Sequence, residues 1–163
     1  MSIIATLIIL LLLIIVCLVW SKYTERNRKI PIPFKESMDL LNVPVVTFTN
    51  NGQKLHFLLD TGGDYSYIDS SVLDTLDIKS KDDSSIKVST GSTGFHSSGK
   101  VTIDIEYRGN TFEETFVVHD LKEQFASAFS NSGLVVHGVL GSMFFAKHKY
   151  ELNFEDFTAY SAK

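Results

Sequence analysis

The chain has 163 residues, with 15 Lys and Arg against 19 Asp and Glu, a net charge of −4 and one cysteine. That length suits one folded domain, and a lone thiol excludes an intrachain disulfide. From Ser37 onward 10 Lys and Arg face 17 Asp and Glu, a net of −7, which removes the basic face that a nucleic-acid partner needs.

Taken in chain order, Ile3 to Trp20 carry no charge and are mostly Leu, Ile and Val. At 1.5 Å per residue a helix of this length spans about 27 Å, near the thickness of a bilayer's hydrocarbon core. A cleaved signal peptide is the competing reading. No Lys or Arg precedes the apolar run and no small-x-small site follows it, so an uncleaved transmembrane anchor over residues 1–21 is expected. Lys22, Arg26, Arg28 and Lys29 then outweigh Glu25, which by the positive-inside rule places the rest of the chain in the cytoplasm. Residues 22–40, with Pro31 and Pro33, read as an extended basic linker. A single domain is expected over 41–163.

Val43 to Thr49 alternates and is β-branched, so a strand is expected, and Asn50-Asn51-Gly52 predicts a hairpin into a return strand ending near Asp60. Leu55, Phe57 and Leu59 share one face of that return strand. Tyr65 to Ile68 reads as a short strand, with Asp69 as N-cap of a short helix over Ser70 to Leu76. Lys79 to Ser84 is charged and reads as a loop. Ser85 to Thr90 is a strand candidate, and the small, flexible run from Gly91 to Gly99 reads as a long hairpin tip with Phe95 in its middle. Lys100 to Tyr107 and Thr111 to His119 form strands around a turn at Arg108-Gly109-Asn110. Leu121 to Asn131 is ambiguous between loop and helical turn. Gly141 to His148 reads as a short helix, and Tyr150 to Phe154 with Phe157 to Tyr160 as a closing hairpin. The whole is a mainly β, barrel-like domain with one or two short helices.

The chemistry concentrates at Leu58-Leu59-Asp60-Thr61-Gly62. An apolar strand that carries a carboxylate inward must pair or use it, because an unpartnered buried acid is costly. A strand-end acid braced by a hydroxyl is suited to activating water. The plainer reading is a strand entering a turn, with Asp60 capping it and Gly62 at positive φ. His56, His96, His119, His137 and His148 show no compact metal-ligand spacing, and there is no Gly-x-Ser-x-Gly elbow, so neither a metal nor another cofactor is expected.

In order and spacing, three segments resemble the retropepsin-like (retroviral-type) aspartic proteinases, particularly bacterial single-domain forms. They are Leu58 to Gly62, the glycine-rich Gly91 to Gly99, and Val135-Val136-His137-Gly138-Val139-Leu140-Gly141-Ser142-Met143-Phe144-Phe145. The resemblance spans about Val43 to Tyr160. It implies a retropepsin-like barrel and a membrane-anchored aspartic endopeptidase that uses two carboxylates around one water. With one Asp-Thr-Gly per chain, it implies a homodimer in which each copy supplies Asp60. Thr61 would brace the paired loops and Gly62 would permit the turn. Gly63, Ile68, Gly94, Phe95 and Val136 would contact a peptide or protein substrate lying as an added strand beneath a flap. Position 63 is Gly where the family usually has Ala or Ser, and Asp64 lacks the arginine partner of the viral branch. Gly63 keeps open a second reading, a catalytically inactive, membrane-tethered peptide-binding or dimerisation module of the same fold.

Overall fold

A computed structural model describes residues 10–18, 31–83, 87–90, 93–96 and 99–161. Residues 10–18 form helix α1, with exposed side chains. The rest of the expected anchor lies outside the described residues. Among the described residues no helix is long and apolar enough to cross a membrane. Residues 31–161 belong to one compact unit, which holds every strand among the described residues.

This unit begins inside the stretch expected to be linker. Ile32–Pro33 form strand β1, and Lys35–Leu41 form helix α2. Ile32 and Phe34 are buried in the core, which explains why two prolines do not leave the segment loose. β2 (Val45–Asn50) and β3 (Gln53–Leu59) make the expected hairpin, turning through Asn51 and Gly52 at φ 48° and 82°, the mirror-image turn that fits strand twist. β4 (Ser66–Asp69) runs into a 3-10 turn, Ser70–Thr75, capped by Asp69 as expected.

Three segments depart from expectation. Lys79 to Ser84 is mostly strand: β5 (Ile78–Asp82) is a charged, exposed edge. Charge there suits an edge strand, because it deters pairing with other chains. The run from Gly91 is not one long loop. β6 (Lys87–Thr90) pairs with β7 (Thr93–His96), so the hairpin closes between Thr90 and Thr93. Leu121 to Asn131 resolves to an eleven-residue helix, α3 (Lys122–Ser132).

β8 (Lys100–Tyr107), β9 (Asn110–His119), β10 (Gly138–Leu140), α4 (Ser142–His148), β11 (Tyr150–Asn153) and β12 (Thr158–Ser161) complete the unit. The main sheet has the order β2-β3-β10-β4-β9-β8-β5, and the pairing of Thr49 with Glu106 joins β2 back to β8. The sheet therefore closes into a barrel with β5 on the outside of β8. Phe48, Phe57, Phe112, Phe116 and Phe144 fill it, with Leu55, Ile68, Ile103, Ile105 and Leu140. Beneath lies a small sheet of order β1-β12-β11.

Candidate active site

β3 directs Leu55, Phe57 and Leu59 into the core. The residue after Leu59 must face the other way. Asp60 is accordingly exposed, not carried inward as the apolar run suggested. Its N–H donates to Leu140 O at 3.0 Å, extending the β3–β10 pairing by one bond. Its Oδ1 accepts from Gly62 N at 2.9 Å, which fixes the carboxylate over its own turn. Thr61 and Gly62 are exposed, and Gly63 is half-buried.

Gly62 is not in the left-handed region. What both glycines supply is room. A Cβ at Gly62 would stand 3.3 Å from Asp60 Oδ1, and one at Gly63 would stand 3.2 Å from Oδ2. Both carboxylate oxygens thus face bare backbone.

The loop is laced to the chain that leaves β10. Ser142 N donates to Gly63 O at 2.7 Å and Met143 N to Asp64 O at 3.2 Å. These are first-turn N–H groups of α4, which have no partner inside their own helix. Gly141 sits between these donors and Leu140. A Cβ there would lie 2.3 Å from Tyr65 O, so only glycine lets the two backbones pass. β10 itself is wedged parallel to β3 and antiparallel to β4, with Gly138 facing both Phe57 and Ile68.

The outward face beside this loop carries Val139, Tyr67 and Val117 in register across β10, β4 and β9. Leu121 packs with Tyr67 and Val117, and Phe125 rests against them. Burial raises the Tyr67 phenol above its ordinary range, and the nearby Tyr65, Asp64 and Asp60 push the same way. Asp60 and Tyr67 are therefore electrostatic neighbours.

The other expected contact residues are spread out. Ile68 is fully buried in the barrel and offers no surface to a substrate. Val136 lines a mainly apolar cavity of about 360 Å³ with Val72, Leu121, Phe125, Val135 and His137. Gly94 and Phe95 pair with Ser89 and Val88, so Phe95 lies along the hairpin rather than at its end. The hairpin's end, residues 91–92, and the side chains of both its strands lie outside the described residues. Asp69 is buried; Ser71 N at 2.7 Å, the Ser71 hydroxyl and Leu121 N at 2.8 Å all donate to it. Burial alone would raise its carboxyl, but these bonds and Lys122 hold it below the usual range. Among the described residues no three His, Cys, Asp or Glu side chains cluster as a metal site would require.

One group escaped the sequence reading. Glu114 is buried, and its Oε1 accepts from the Ser66 hydroxyl at 2.9 Å. The signal was present in β9, where Phe112, Glu114, Phe116 and Val118 alternate on one face and place an acid in an apolar row.

The EIAV protease complexed with the inhibitor HBY-793 superposes with a TM-score of 0.51 at 17% identity, covering 71% of this chain and 97% of that one. The retroviral protease-like domain of Ddi1 from Leishmania major gives 0.45 at 13% identity, covering 68% and 81%. No curated protein matches the sequence. The fold is retropepsin-like, and a family described as "Aspartyl protease" matches residues 46–144, from β2 through the first turn of α4. The chain belongs to the aspartyl protease family.

Proposed function

We propose that the chain is an aspartic endopeptidase whose active form is a two-fold homodimer with Asp60 of each copy at the axis. The observation that carries this is the exposed Asp60 carboxylate at the end of β3, tied to Gly62 N and framed by β10 and α4. One chain supplies one such acid; hydrolysis of an amide by this route uses two. In the dimer one carboxylate takes a proton from the attacking water while the other, protonated, donates to the substrate carbonyl. Two like charges so close do not both ionise, so the pair holds one proton. Exposure in the single chain, which a buried acid would deny, leaves Asp60 free to meet its copy. Thr61, exposed beside Asp60, would reach across the same axis and brace the paired loops. The substrate is a peptide or protein segment in extended form, alongside the exposed Asp60 turn and beneath the β6–β7 hairpin.

The uncharged run from Ile3 to Trp20 anchors each copy in a membrane, which we assign to the inner membrane of a bacterium with the domain on the cytoplasmic side. Tethering raises the effective concentration of the copies and favours a weak dimer. A second reading, an inactive peptide-binding module, is favoured by one feature: Gly63 leaves Oδ2 without the side-chain contact that Ala or Ser would give.

The deciding experiment is peptide-library cleavage by the full chain across pH 3 to 8, with Asp60→Asn as control. Loss of at least about 10³-fold in kcat with folding and dimerisation intact is expected. A wild-type chain that binds peptides and cuts none at any pH would establish the module instead.

A further inference from the structure

Glu114 and Ser66 are buried side chains on the wall of a cavity of about 240 Å³ that Tyr65, Met143 and Lys147 also line, and they connect to the Asp60 loop through an unbroken series of bonds. Ser66 is 2% exposed and Glu114 5%. A serine hydroxyl has one proton. Here it is donated to Glu114 Oε1 at 2.9 Å, which turns an oxygen lone pair toward the N–H of Gly141, at 3.3 Å. Gly141 stands between Leu140, whose carbonyl accepts from Asp60 N, and Ser142, whose N–H donates to Gly63 O. Both ends of the Asp60 turn are therefore fastened to residues flanking the one amide that Ser66 holds. The opposite oxygen, Glu114 Oε2, faces Lys147 Nζ and His148 Nε2, each at 3.5 Å. These two residues sit on the last turn of α4, whose first turn binds the loop.

We propose that Glu114 and Ser66 are positioning residues for Asp60: the carboxylate sets the direction of the hydroxyl, and the hydroxyl fixes the Gly141 junction that holds both ends of the catalytic turn. A carboxylate is the suitable partner because it only accepts. A group that donated to Ser66 would compete with Gly141 N–H for the same oxygen. Contact between Gly141 and the Tyr65 backbone leaves no slack, so displacement at 141 passes directly into the loop. The inference rests on the endopeptidase reading for its kinetic readout and on bond geometry alone for its spectroscopic one.

The test uses the full chain in mild detergent, with Ser66→Ala, Ser66→Thr and Glu114→Gln. For Ser66→Ala, kcat on a cleaved peptide falls about tenfold while KM stays within about twofold, the pattern of a mis-set reacting group rather than lost binding. Ser66→Thr, which keeps the hydroxyl, recovers most of kcat. In parallel, NMR amide signals of Asp60, Gly62 and Gly141 move in Ser66→Ala and Glu114→Gln. If the folded Ser66→Ala protein keeps wild-type kcat, or if those three amides stay in place, the inference is overturned. If Ser66→Ala does not fold, Glu114→Gln is judged by the same two measurements. If the wild-type chain cuts nothing at any pH, the endopeptidase reading fails, and the amide signals alone decide this one.

Discussion

At the scale of single residues, the site is a matter of which positions tolerate a carbon atom. Gly141 and Gly63 look alike in sequence and differ in what surrounds them. A methyl at 141 would meet the Tyr65 carbonyl oxygen at 2.3 Å and its carbon at 2.6 Å, both backbone atoms in a strand-flanked turn. Neither can withdraw, so Gly141→Ala is expected to destabilise by about 3 kcal/mol or more, as overpacking of a rigid site does. A methyl at 63 would meet only Asp60 Oδ2 at 3.2 Å and Cγ at 3.7 Å, the end of a side chain that can move a few tenths of an ångström. Gly63→Ala should hold stability within about 1 kcal/mol and raise kcat, because the methyl narrows the carboxylate's motion. Urea unfolding of both variants checks the first pair of outcomes, and peptide turnover checks the last; a fall in kcat for Gly63→Ala would show that the carboxylate needs the space. The Asp60 turn was legible in sequence because an apolar run, an acid and glycines stand next to one another. Its direction follows from alternation rather than from the apolar run: Leu59 occupies the inward position, so Asp60 is turned outward. The same rule put Ile68 inward, where it was expected to touch substrate. Glu114 stayed hidden because its partner, Ser66, is 48 residues away in the chain.

Among the elements, the hairpins around Asn51-Gly52 and Gly109 were legible because mirror-image turns demand positive φ, and few residues adopt it. β5, α3 and β1 were not, for a common reason: each is decided by what it packs against. β5 is polar because it is an edge, and β1 exists because Ile32 pairs with Ala159 near the other end of the chain. β10 is the element on which the site depends, and His137, just before it, is clipped to the His56 backbone of β3 by one backbone bond and one ring bond. His137 N donates to His56 O at 2.8 Å, and His56 N donates to His137 Nδ1 at 3.0 Å. The rings lie 5.2 Å apart. Burial lowers the His56 pKa, with Lys54 adding to it; burial lowers that of His137 too, with His56 adding and Asp69 opposing. A histidine whose folded pKa is depressed gives stability that is present above its ordinary value of 6.5 and is lost as pH falls through the lower folded value. Protonated His137 Nδ1 would also cease to accept from His56 N–H. The thermal midpoint should therefore drop between pH 7 and pH 5. His137→Asn, whose Oδ1 keeps an acceptor with no proton to gain, should flatten that drop. Thermal melts across the range decide it, and equal slopes in the two proteins would remove the imidazole pair as the cause.

For the whole molecule, the central question is how one barrel becomes half of a reaction centre. The barrel needs no second chain to close: the Thr49–Glu106 pairing completes it, and β1 and β12 of one chain already pair with each other. Folding and catalysis can thus be separated by dilution, since a folded single barrel would carry an intact Asp60 turn and no second acid. That separation yields a mixing experiment. Fixed wild-type chain is combined with an equal amount of Asp60→Asn chain under conditions where both dimerise freely. Random pairing doubles the number of dimers and leaves about a quarter of them wild-type on both sides, so the rate falls to about half of its starting value. A chain that worked alone would keep its full rate, because the added variant would be a bystander. A rate that falls with added Asp60→Asn and is untouched by an unfolded control identifies a shared dyad. It does so without any knowledge of the natural substrate, since only the count of acids at the axis has changed.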